Sequence, residues 1–304
     1  MKKLFIIGNG FDIAHGLPTR YSDFQDYLME NYPEASDEYL SVPESIIMPD
    51  GSEKYNDDEV VGFLLKIITE AEATGEKWSD LENTLGLLDF DECFDDWDYE
   101  EDENEWHEVY RNEQISGDIS GSVRMIKEYF KDWIETIDLS NAEINQNFYN
   151  LIDHNNDLFL TFNYTETLEY IYGAKNVYHI HGRQGGDLVL GHGNHMDYYD
   201  EHMTRNIGSE NYLSELQATL KKDTEVVINK NKSLFKILSE VEQIYSYGFS
   251  FSDVDMVYIK EICNASQTNN ITWYIHDYDS EKFDSFREKI INYGFKGKFN
   301  MFKV

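Results

Sequence analysis

The feature that most constrains the fold is a continuous apolar run that ends in a glycine-containing turn. The run is Leu4-Phe5-Ile6-Ile7, and Gly8-Asn9-Gly10 follow it directly. A strand that is apolar at every position suits the centre of a parallel sheet, because such a strand is covered on both faces. The two glycines permit a sharp turn and a close approach of the backbone to a ligand. These residues therefore predict a buried strand of a parallel sheet that leads into a tight turn.

Strands and helices alternate again after residue 150. The predicted strands are residues 158–162, 177–180, 188–190, 244–247, 271–276 and 299–304. The predicted helices are a segment that Thr165 caps and that ends at Tyr172, followed by residues 213–221, 232–242, 256–263 and 280–293. Such alternation indicates a parallel sheet with helices on both faces.

The stretch from residue 26 to residue 149 has a different character. In residues 60–73 and 123–137 the apolar side chains recur at three- and four-residue intervals, which is helical spacing, and strand patterns are poor. We therefore predict an α/β fold with two parts. Residues 1–25 and 150–304 form a Rossmann-like parallel sheet flanked by helices, and residues 26–149 form a mostly helical, acidic insertion.

The balance of charge excludes two classes of partner. The chain has 25 Lys+Arg and 59 Asp+Glu, so its formal net charge is −34. A polyanion is repelled by the phosphates of nucleic acid and by anionic lipid, so we expect no direct nucleic-acid or membrane partner. The acidity is densest in residues 89–108, where aromatic residues are interleaved. This segment is interpreted as a solvated surface, a docking surface for a basic partner or a mimic of nucleic-acid charge.

Cysteine content and hydropathy indicate the compartment. Cys93 and Cys263 are too few for a disulfide framework or for a four-thiolate zinc site. No apolar run approaches the roughly 18 residues of a membrane helix. The run at residues 4–7 is also too short for the core of a signal peptide. We expect a cytoplasmic protein.

Polar clusters follow three of the predicted strands directly. They are Gly8-Asn9-Gly10, Asn163-Tyr164 and Gly248-Phe249-Ser250. Ligands of open parallel sheets bind in the crevice beyond the carboxyl ends of the strands, so these clusters predict a ligand site. Backbone amides of the first cluster are suited to holding a phosphate, but Ile13 occupies the place of the third glycine of a dinucleotide fingerprint. A nucleotide loop and a purely structural turn both stay open.

Histidines form a second candidate group. His179 and His181 stand two residues apart on a predicted strand and are expected to face the same side, and His192 and His195 follow. Imidazole suits proton transfer and metal binding near neutral pH. His181 precedes Gly182 at a strand end and is the catalytic candidate, whereas a zinc site lacks a cysteine or carboxylate at matching spacing. A structural role stays open for each histidine.

Asn163 and the segment Trp78-Ser79-Asp80-Leu81-Glu82 have two interpretations each. The Asn163 amide, with two donor hydrogens and an acceptor, can serve a ligand or turn the chain through bonds to local backbone. The Trp78 segment is typical of a helix start, and Glu82 is a candidate for reaching the crevice. Hydrolysis by a Ser-His-Asp triad is not favoured, because the sequence has no G-x-S-x-G elbow.

Four segments, in this order, resemble the AbiH-like family of bacterial abortive-infection proteins, which is itself similar to the sirtuin fold. They are GNGFDIAHGLPT at residues 8–19, TFNYT at 161–165, HIHG at 179–182 and YGFSFSD at 247–253. The residues in register with sirtuin motifs are Gly8, Gly10, Gly16 and Pro18 of the G-A-G-x-S-x-x-x-G-I-P segment, Asn163 of Q-N-x-D, His181 and Gly182 of the catalytic H-G, and Gly248 and Ser250 of G-T-S. The resemblance also includes the Trp78 segment, and it implies little about the acidic insertion.

The chain departs from the sirtuin pattern at two positions. Asp12 stands in the place of the sirtuin Ser, and Thr165 in the place of the Asp that handles the nicotinamide amide. The four-cysteine zinc module of sirtuins is missing from the sequence as well. Protein deacetylation is therefore not expected.

The resemblance implies an anti-phage protein that hydrolyses the N-glycosidic bond of NAD to nicotinamide and ADP-ribose. NAD is then a substrate, and neither a bound cofactor nor a metal is expected. Asn163 would hold the ribose and position water, and His181 would accept a hydrogen bond or proton from a ribose hydroxyl. The ligand-binding residues that follow from the resemblance are Gly8, Asn9, Gly10, Asp12, Pro18, Gly248, Ser250 and Asp253.

Two other functions stay open. The same crevice suits a sensor that binds NAD or ADP-ribose without turnover, and Thr165 in place of the Asp favours this alternative. A metal-dependent, nuclease-like toxin would use His181, His192 and His195 and would be sensitive to chelators. A homo-oligomer or a regulatory protein partner is compatible with each function, with control through the helical segment.

Overall fold

The computed structural model describes residues 2–72, 78, 80–95 and 105–304. Within these ranges the strands are β1 (Lys2–Ile7), β2 (Ile46–Ile47), β3 (Glu53–Lys54), β4 (Leu158–Thr161), β5 (Val177–His179), β6 (Val241–Tyr247), β7 (Thr272–His276) and β8 (Lys298–Phe302). The α-helices are α1 (Asn9–Ala14), α2 (Tyr21–Asn31), α3 (Asp57–Ala71), α4 (Leu81–Thr84), α5 (Glu105–Arg124), α6 (Ile126–Thr136), α7 (Gln146–Leu151), α8 (Thr167–Tyr172), α9 (Tyr199–Arg205), α10 (Glu210–Leu220), α11 (Thr224–Lys230), α12 (Lys232–Ile237), α13 (Met256–Ala265) and α14 (Phe283–Asn292).

The chain divides into two compact units. The sheet unit comprises residues 1–20, 134–189 and 223–304, and the helical unit comprises residues 21–133 and 190–222. Residues 190–222 thus lie with the helical unit, whereas the alternating pattern after residue 150 places them with the sheet. The predicted domains, residues 1–25 with 150–304 and residues 26–149, stay a prediction.

The sheet unit is built on six parallel strands in the order β5-β4-β1-β6-β7-β8. Leu4 of β1 pairs with Leu158 of β4 on one side and with Ile244 of β6 on the other. Residues 4–7 are fully buried, which stabilises the fold by about 1.5–3 kcal/mol for each large apolar side chain. The predicted α/β class and the predicted buried central strand are confirmed.

The two faces of β1 supply two hydrophobic cores. Leu4 belongs to the core on one face, which we call the Leu4 core, and Phe5 to the core on the other, the Phe5 core. In the Phe5 core the Phe5 ring stacks against Phe159 of β4 and Tyr245 of β6, at centroid distances of 5.2 and 5.0 Å. Neighbouring strands are thereby locked in register by their side chains as well as by their backbones.

The strand order places a topological switch at β1. The first three strands of the sheet, β1, β4 and β5, follow one another in one direction, and β6, β7 and β8 follow in the other. This is the doubly wound order 3-2-1-4-5-6, in which ligands bind beyond the carboxyl ends of the strands near the point of reversal. The loops after β1, β4 and β6 meet at that edge.

The helical unit packs around an aromatic cluster. The Phe24 ring of α2 contacts Trp78, Phe130 and Trp133 at centroid distances of 5.8, 5.3 and 5.3 Å. Of the predicted helices, the one at residues 60–73 corresponds to α3, which ends at Ala71, and residue 73 lies outside the described residues. The helix predicted for residues 123–137 is interrupted between Arg124 and Ile126. No helix in the described ranges has both the length and the hydrophobicity that a membrane crossing requires.

Three local predictions differ from the structure. The helix predicted for residues 232–242 is shorter, because α12 ends at Ile237 and β6 begins at Val241. Residues 188–190 form no strand, because Val189 is held instead by single bonds: its N–H donates to His181 O at 2.8 Å and its carbonyl accepts from Tyr164 Oη at 3.0 Å. Thr165 does not cap α8. Its hydroxyl donates to the carboxylate of Asp12, and Glu166 occupies the N-cap position without a capping hydrogen bond from its side chain to the helix.

Candidate functional site

A buried carboxylate lies at the carboxyl edge of the sheet, in the helix that follows β1. Asp12 is 1 % exposed, its Oδ2 accepts a hydrogen bond from Thr165 Oγ1, and Thr167 Oγ1 lies 2.9 Å from that hydroxyl. Burial raises the pKa of Asp12 from 3.8 to about 6, and the hydroxyl groups of Thr165 and Thr167 and the nearby Asn163 amide limit the rise. At pH 7 the group is therefore a carboxylate in a largely dry environment.

Asn163 is held in this environment by its backbone. Its N–H donates to Thr161 Oγ1 and its carbonyl accepts from His179 Nδ1, both at 3.1 Å, so the last residues of β4 and β5 fix its position. The side chain is 5 % exposed and makes no bond to local backbone. The interpretation of Asn163 as a turn residue that caps its own backbone is therefore wrong.

Three buried polar atoms near one another make no hydrogen bond of ordinary geometry to any described residue. They are Asp12 Oδ1, Asn163 Oδ1 and Asn163 Nδ2. The amide is still close enough to Asp12 to help lower the pKa of that carboxyl. An unsatisfied buried polar group costs about 1–3 kcal/mol, so atoms of this kind call for a ligand or an ordered water.

His179 supports the cluster from β5. Its Nδ1 donates to Asn163 O, and its Nε2 lies 2.9 Å from Glu169 Oε1 of α8. Both partners are acceptors, and the two contacts fix the orientation of the ring. The electrostatic interaction with His179 also lowers the pKa of Asp12.

His181 has different neighbours. Its Nε2 lies 3.3 Å from Asp255 Oδ1, and its ring packs edge-on against Phe162 and Tyr258 at 5.2 and 5.8 Å, both of them residues of the Leu4 core. The prediction that His179 and His181 face the same side is wrong, because β5 ends at His179 and the alternation of the strand ends with it.

Asp255 was not among the predicted site residues, although Asp253 was. Asp255 is 7 % exposed, whereas the Asp253 side chain is 88 % exposed and pairs with Lys289 at 2.9 Å. The two carboxylates stand two residues apart in a 3-10 turn, Asp253–Asp255, that leads into α13. Nothing in the spacing of the sequence distinguishes them, because only the packing of α13 decides which one is buried.

The glycines after β1 and β6 pack against each other. A Cβ on Gly8 would lie 2.5 Å from Gly248 O, and one on Gly10 would lie 2.7 Å from Gly248 Cα. Gly248 itself has φ +64. The amides of Gly8 and Gly10 donate to Tyr247 O and Gly248 O at 3.0 Å, which leaves these two amides no hydrogen for a phosphate. These bonds account for a structural role of both glycines in the turn, and their role in ligand binding stays a prediction.

The other predicted ligand residues lie at the surface of the sheet unit. Asn9, Pro18 and Ser250 are exposed, and Asn9 Nδ2 donates to Thr19 O at 2.7 Å. Phe251, next to Ser250, has φ +54 although it is not a glycine, and it is 1 % exposed. A strained residue of this kind persists only where its surroundings enforce it.

In the helical unit, Glu82 forms an ion pair with Lys222. Both Glu82 carboxylate oxygens lie 2.8 Å from Lys222 Nζ, and the Lys222 side chain is fully buried. Asp80 accepts from Asn83 N at the start of α4, which confirms the predicted helix start. Trp78 has φ +49 and is fully buried. Lys222 was missed by the sequence analysis, because no local pattern links it to a residue 140 positions away.

His192 and His195 make bonds within the helical unit. His192 Nε2 donates to Gln217 O and its Nδ1 accepts from Asn194 N, both at 3.1 Å, and burial lowers its pKa. His195 Nδ1 accepts from Lys221 Nζ at 2.8 Å. Within the described part of the chain, no three His, Cys, Asp or Glu side chains come together as metal ligands do. The two cysteines are buried, and burial raises the pKa of each thiol to about 12.

Comparison with known proteins gives one match. The model of the family described as "Bacteriophage abortive infection AbiH" matches residues 4–277. This range contains most of β1 and all of β2 to β7. It also contains Asp12, Asn163, Thr165 and Thr167. No curated protein and no solved structure matches the chain.

Proposed function

The chain belongs to the AbiH family of bacteriophage abortive infection, which supports an anti-phage role, and we propose that it acts there by hydrolysing NAD to nicotinamide and ADP-ribose. The observation that carries the proposal is the set of three unsatisfied buried atoms on Asp12 and Asn163. They offer two acceptor oxygens and one amide donor at the sheet edge where doubly wound folds bind nucleotides. Ribose hydroxyls, which both donate and accept, are matched to such a set.

The chemistry requires charge stabilisation at the sugar. Cleavage of the nicotinamide–ribose bond passes through an oxocarbenium-like cation. Asp12 supplies a carboxylate that is ionised at neutral pH and 1 % exposed, so its field acts through a medium of low dielectric constant. Asn163 orients a ribose hydroxyl and the attacking water. Asp12 is held by the Thr165 hydroxyl, and the Asn163 backbone is held by Thr161 and His179. Such fixed positions are what preorganised catalysis requires.

His181 is the proposed acceptor for a ribose hydroxyl. Asp255 Oδ1 lies 3.3 Å from its Nε2 and orients the ring for proton transfer. The aromatic side chains of Phe162 and Tyr258 hold the ring in one orientation.

The departures from the sirtuin pattern compensate each other. The resemblance implies a hydroxyl at position 12 and a carboxylate at position 165, and this chain has the two exchanged. Because Thr165 donates to Asp12, the exchange leaves one carboxylate and one hydroxyl in contact. Thr165 is therefore no argument against an active site.

A sensor that binds NAD or ADP-ribose without turnover is the second candidate. It is favoured by the burial of Asn163 and His181, which are 5 % and 3 % exposed, since the release of products then requires surrounding residues to move. The two candidates share a site and differ in turnover alone.

The experiment combines calorimetry with product analysis. Purified protein, alone and with extract of phage-infected cells, is titrated with NAD and with ADP-ribose, and nicotinamide release is measured by chromatography. We expect NAD binding and nicotinamide release for the wild type and neither for Asn163→Ala. The matched control is Asn264→Ala, on the exposed side of α13. Equal binding of both ligands without nicotinamide indicates a sensor, and no binding of either ligand contradicts both functions.

A further inference from the structure

A cavity in the helical unit takes no part in the proposed reaction. It has a volume of about 180 Å³ and lies among the loop of residues 85–91, α9 and α10. Its floor is formed by Leu213, Leu216 and Leu220, which are at most 2 % exposed. Leucine-lined cavities of about 150 Å³ take up a molecule the size of benzene. The cavity therefore has room for one aromatic or branched aliphatic group.

The mouth of this cavity is acidic. Asp89, Asp91, Glu201 and Arg205 line it, and the guanidinium contacts Asp91 at 2.5 Å and Glu201 at 2.7 Å. Three carboxylates and one guanidinium leave an excess of two negative charges. His202 also lines the cavity, and burial lowers its pKa, so it adds no positive charge at neutral pH.

Exposed carboxylates continue on both sides of the mouth. Glu92 and Asp95 follow the loop, and Asp197 and Asp200 lie at the start of α9. One small cation neutralises one or two of these charges, whereas a peptide with several Lys and Arg residues meets all of them. The net charge of −34 also attracts a cationic partner over distance.

We propose that this cavity is the docking site for a basic polypeptide segment of a partner protein. The segment inserts one aromatic or branched aliphatic side chain among the leucines and places Lys or Arg residues beside the carboxylates. The buried anchor supplies most of the affinity, and the charges raise the association rate and select the partner. This function is independent of NAD hydrolysis.

The test is a fluorescence anisotropy titration at low ionic strength with the labelled peptide Gly-Lys-Lys-Phe-Lys-Lys-Gly. A second peptide of the same charge carries Gly in place of Phe. We expect the Phe peptide to bind at least about tenfold more tightly, because it alone buries a large apolar side chain. A peptide with Glu in place of each Lys is expected not to bind.

Two protein variants locate the binding. Leu87 lines the cavity and is 48 % exposed, so Leu87→Arg adds a cation there without disturbing the core, and we expect about a tenfold loss of affinity for the Phe peptide. Glu288 is an exposed residue of α14 in the sheet unit. Glu288→Lys changes the net charge by two units, against one for Leu87→Arg, and is expected to change the affinity less. Equal affinity for the Phe and Gly peptides, an unaltered affinity in Leu87→Arg, or no binding at all overturns the proposal.

Discussion

At the scale of single residues, Asn163 is an unfavourable choice for stability alone. Its amide is buried, and neither polar atom is bonded to a described residue. Each such atom costs about 1–3 kcal/mol in lost hydration, and the position would fold at least as well with a small apolar side chain. We therefore expect the Asn163 side chain to contribute to ligand binding and not to the stability of the free protein.

The first prediction concerns Asn163→Ala. We expect its free energy of unfolding to change by less than about 1 kcal/mol, because the lost contacts are offset by removal of the unsatisfied amide. Phe162→Ala, one position earlier in the Leu4 core, should lose about 3–5 kcal/mol. Urea denaturation measures both, and calorimetry with NAD measures the loss of binding. A loss of stability above about 3 kcal/mol in Asn163→Ala would show that the residue is structural.

The second prediction concerns the pH dependence of stability that Asp12 causes. Its pKa is about 6 in the folded protein and 3.8 without burial, so between these values the folded state binds more protons than the unfolded state. Stability therefore falls as the pH rises from about 4 to about 6 and is level above that, with a total loss of about 3 kcal/mol from this group.

The measurement for Asp12 is a comparison with Asp12→Asn. Asn accepts the Thr165 hydrogen bond but has no charge, so the difference in free energy of unfolding between the two proteins isolates this one group. We expect wild type to lose about 3 kcal/mol relative to Asp12→Asn between pH 4 and pH 6. A difference that stays constant with pH contradicts the raised pKa. Under the proposed function, nicotinamide release rises over the same pH range, because the ionised form is the active one.

At the scale of elements, the loops after β1 and β6 meet so closely that only glycine fits. Gly8 and Gly10 approach the backbone of Gly248 at distances that no side chain permits. Parallel strands β1 and β6 are thus joined beyond their last paired residues, Ile7 and Tyr247, by the two amide bonds from Gly8 and Gly10. This contact gives the candidate site a rigid edge.

The third prediction compares two helical glycines. Gly10→Ala places a Cβ 2.7 Å from Gly248 Cα, and since backbone atoms have to move, we expect a loss of more than about 2 kcal/mol. Gly117→Ala in α5 meets nothing closer than 3.7 Å and should gain about 0.5–1 kcal/mol from its better helix propensity. Thermal denaturation of both variants tests the pair. If Gly10→Ala unfolds at the same temperature as the wild type, the close contact between the two loops does not contribute to stability.

Elements whose cause is local were predictable, and those fixed by distant contacts were not. The burial of β1 follows from four adjacent apolar residues. The Asp80 cap of α4 follows from the short segment at residues 78–82. Thr165 was assigned as a cap, but its hydroxyl is used by Asp12, 153 residues away. The choice of Asp255 over Asp253 depends on tertiary packing in the same way. Asn163 and Asp12 could be proposed as site residues from sequence motifs, whereas the bonds that fix their positions could not, because they join distant parts of the chain.

At the scale of the whole molecule, the excess of negative charge opposes both folding and the binding of an anionic ligand. A net charge of −34 repels itself in the compact state, and it repels an anionic ligand such as NAD. Arg183 of the sheet unit is already paired with Glu166, so it contributes less to attracting an anion than its charge indicates. The site therefore relies on uncharged donors and on the fit of its buried atoms.

The fourth prediction is that added salt strengthens NAD binding. Salt screens the repulsion between the exposed carboxylates and the pyrophosphate, with a Debye length that falls from about 30 Å at 0.01 M to about 8 Å at 0.15 M. Contacts with Asp12 and Asn163 are buried and are screened much less. We expect the affinity for NAD to rise severalfold over this range, while the affinity for uncharged nicotinamide stays constant. Calorimetry at both ionic strengths measures the two ligands. An affinity for NAD that falls with salt would show that cations beside the pyrophosphate outweigh the field of the whole chain.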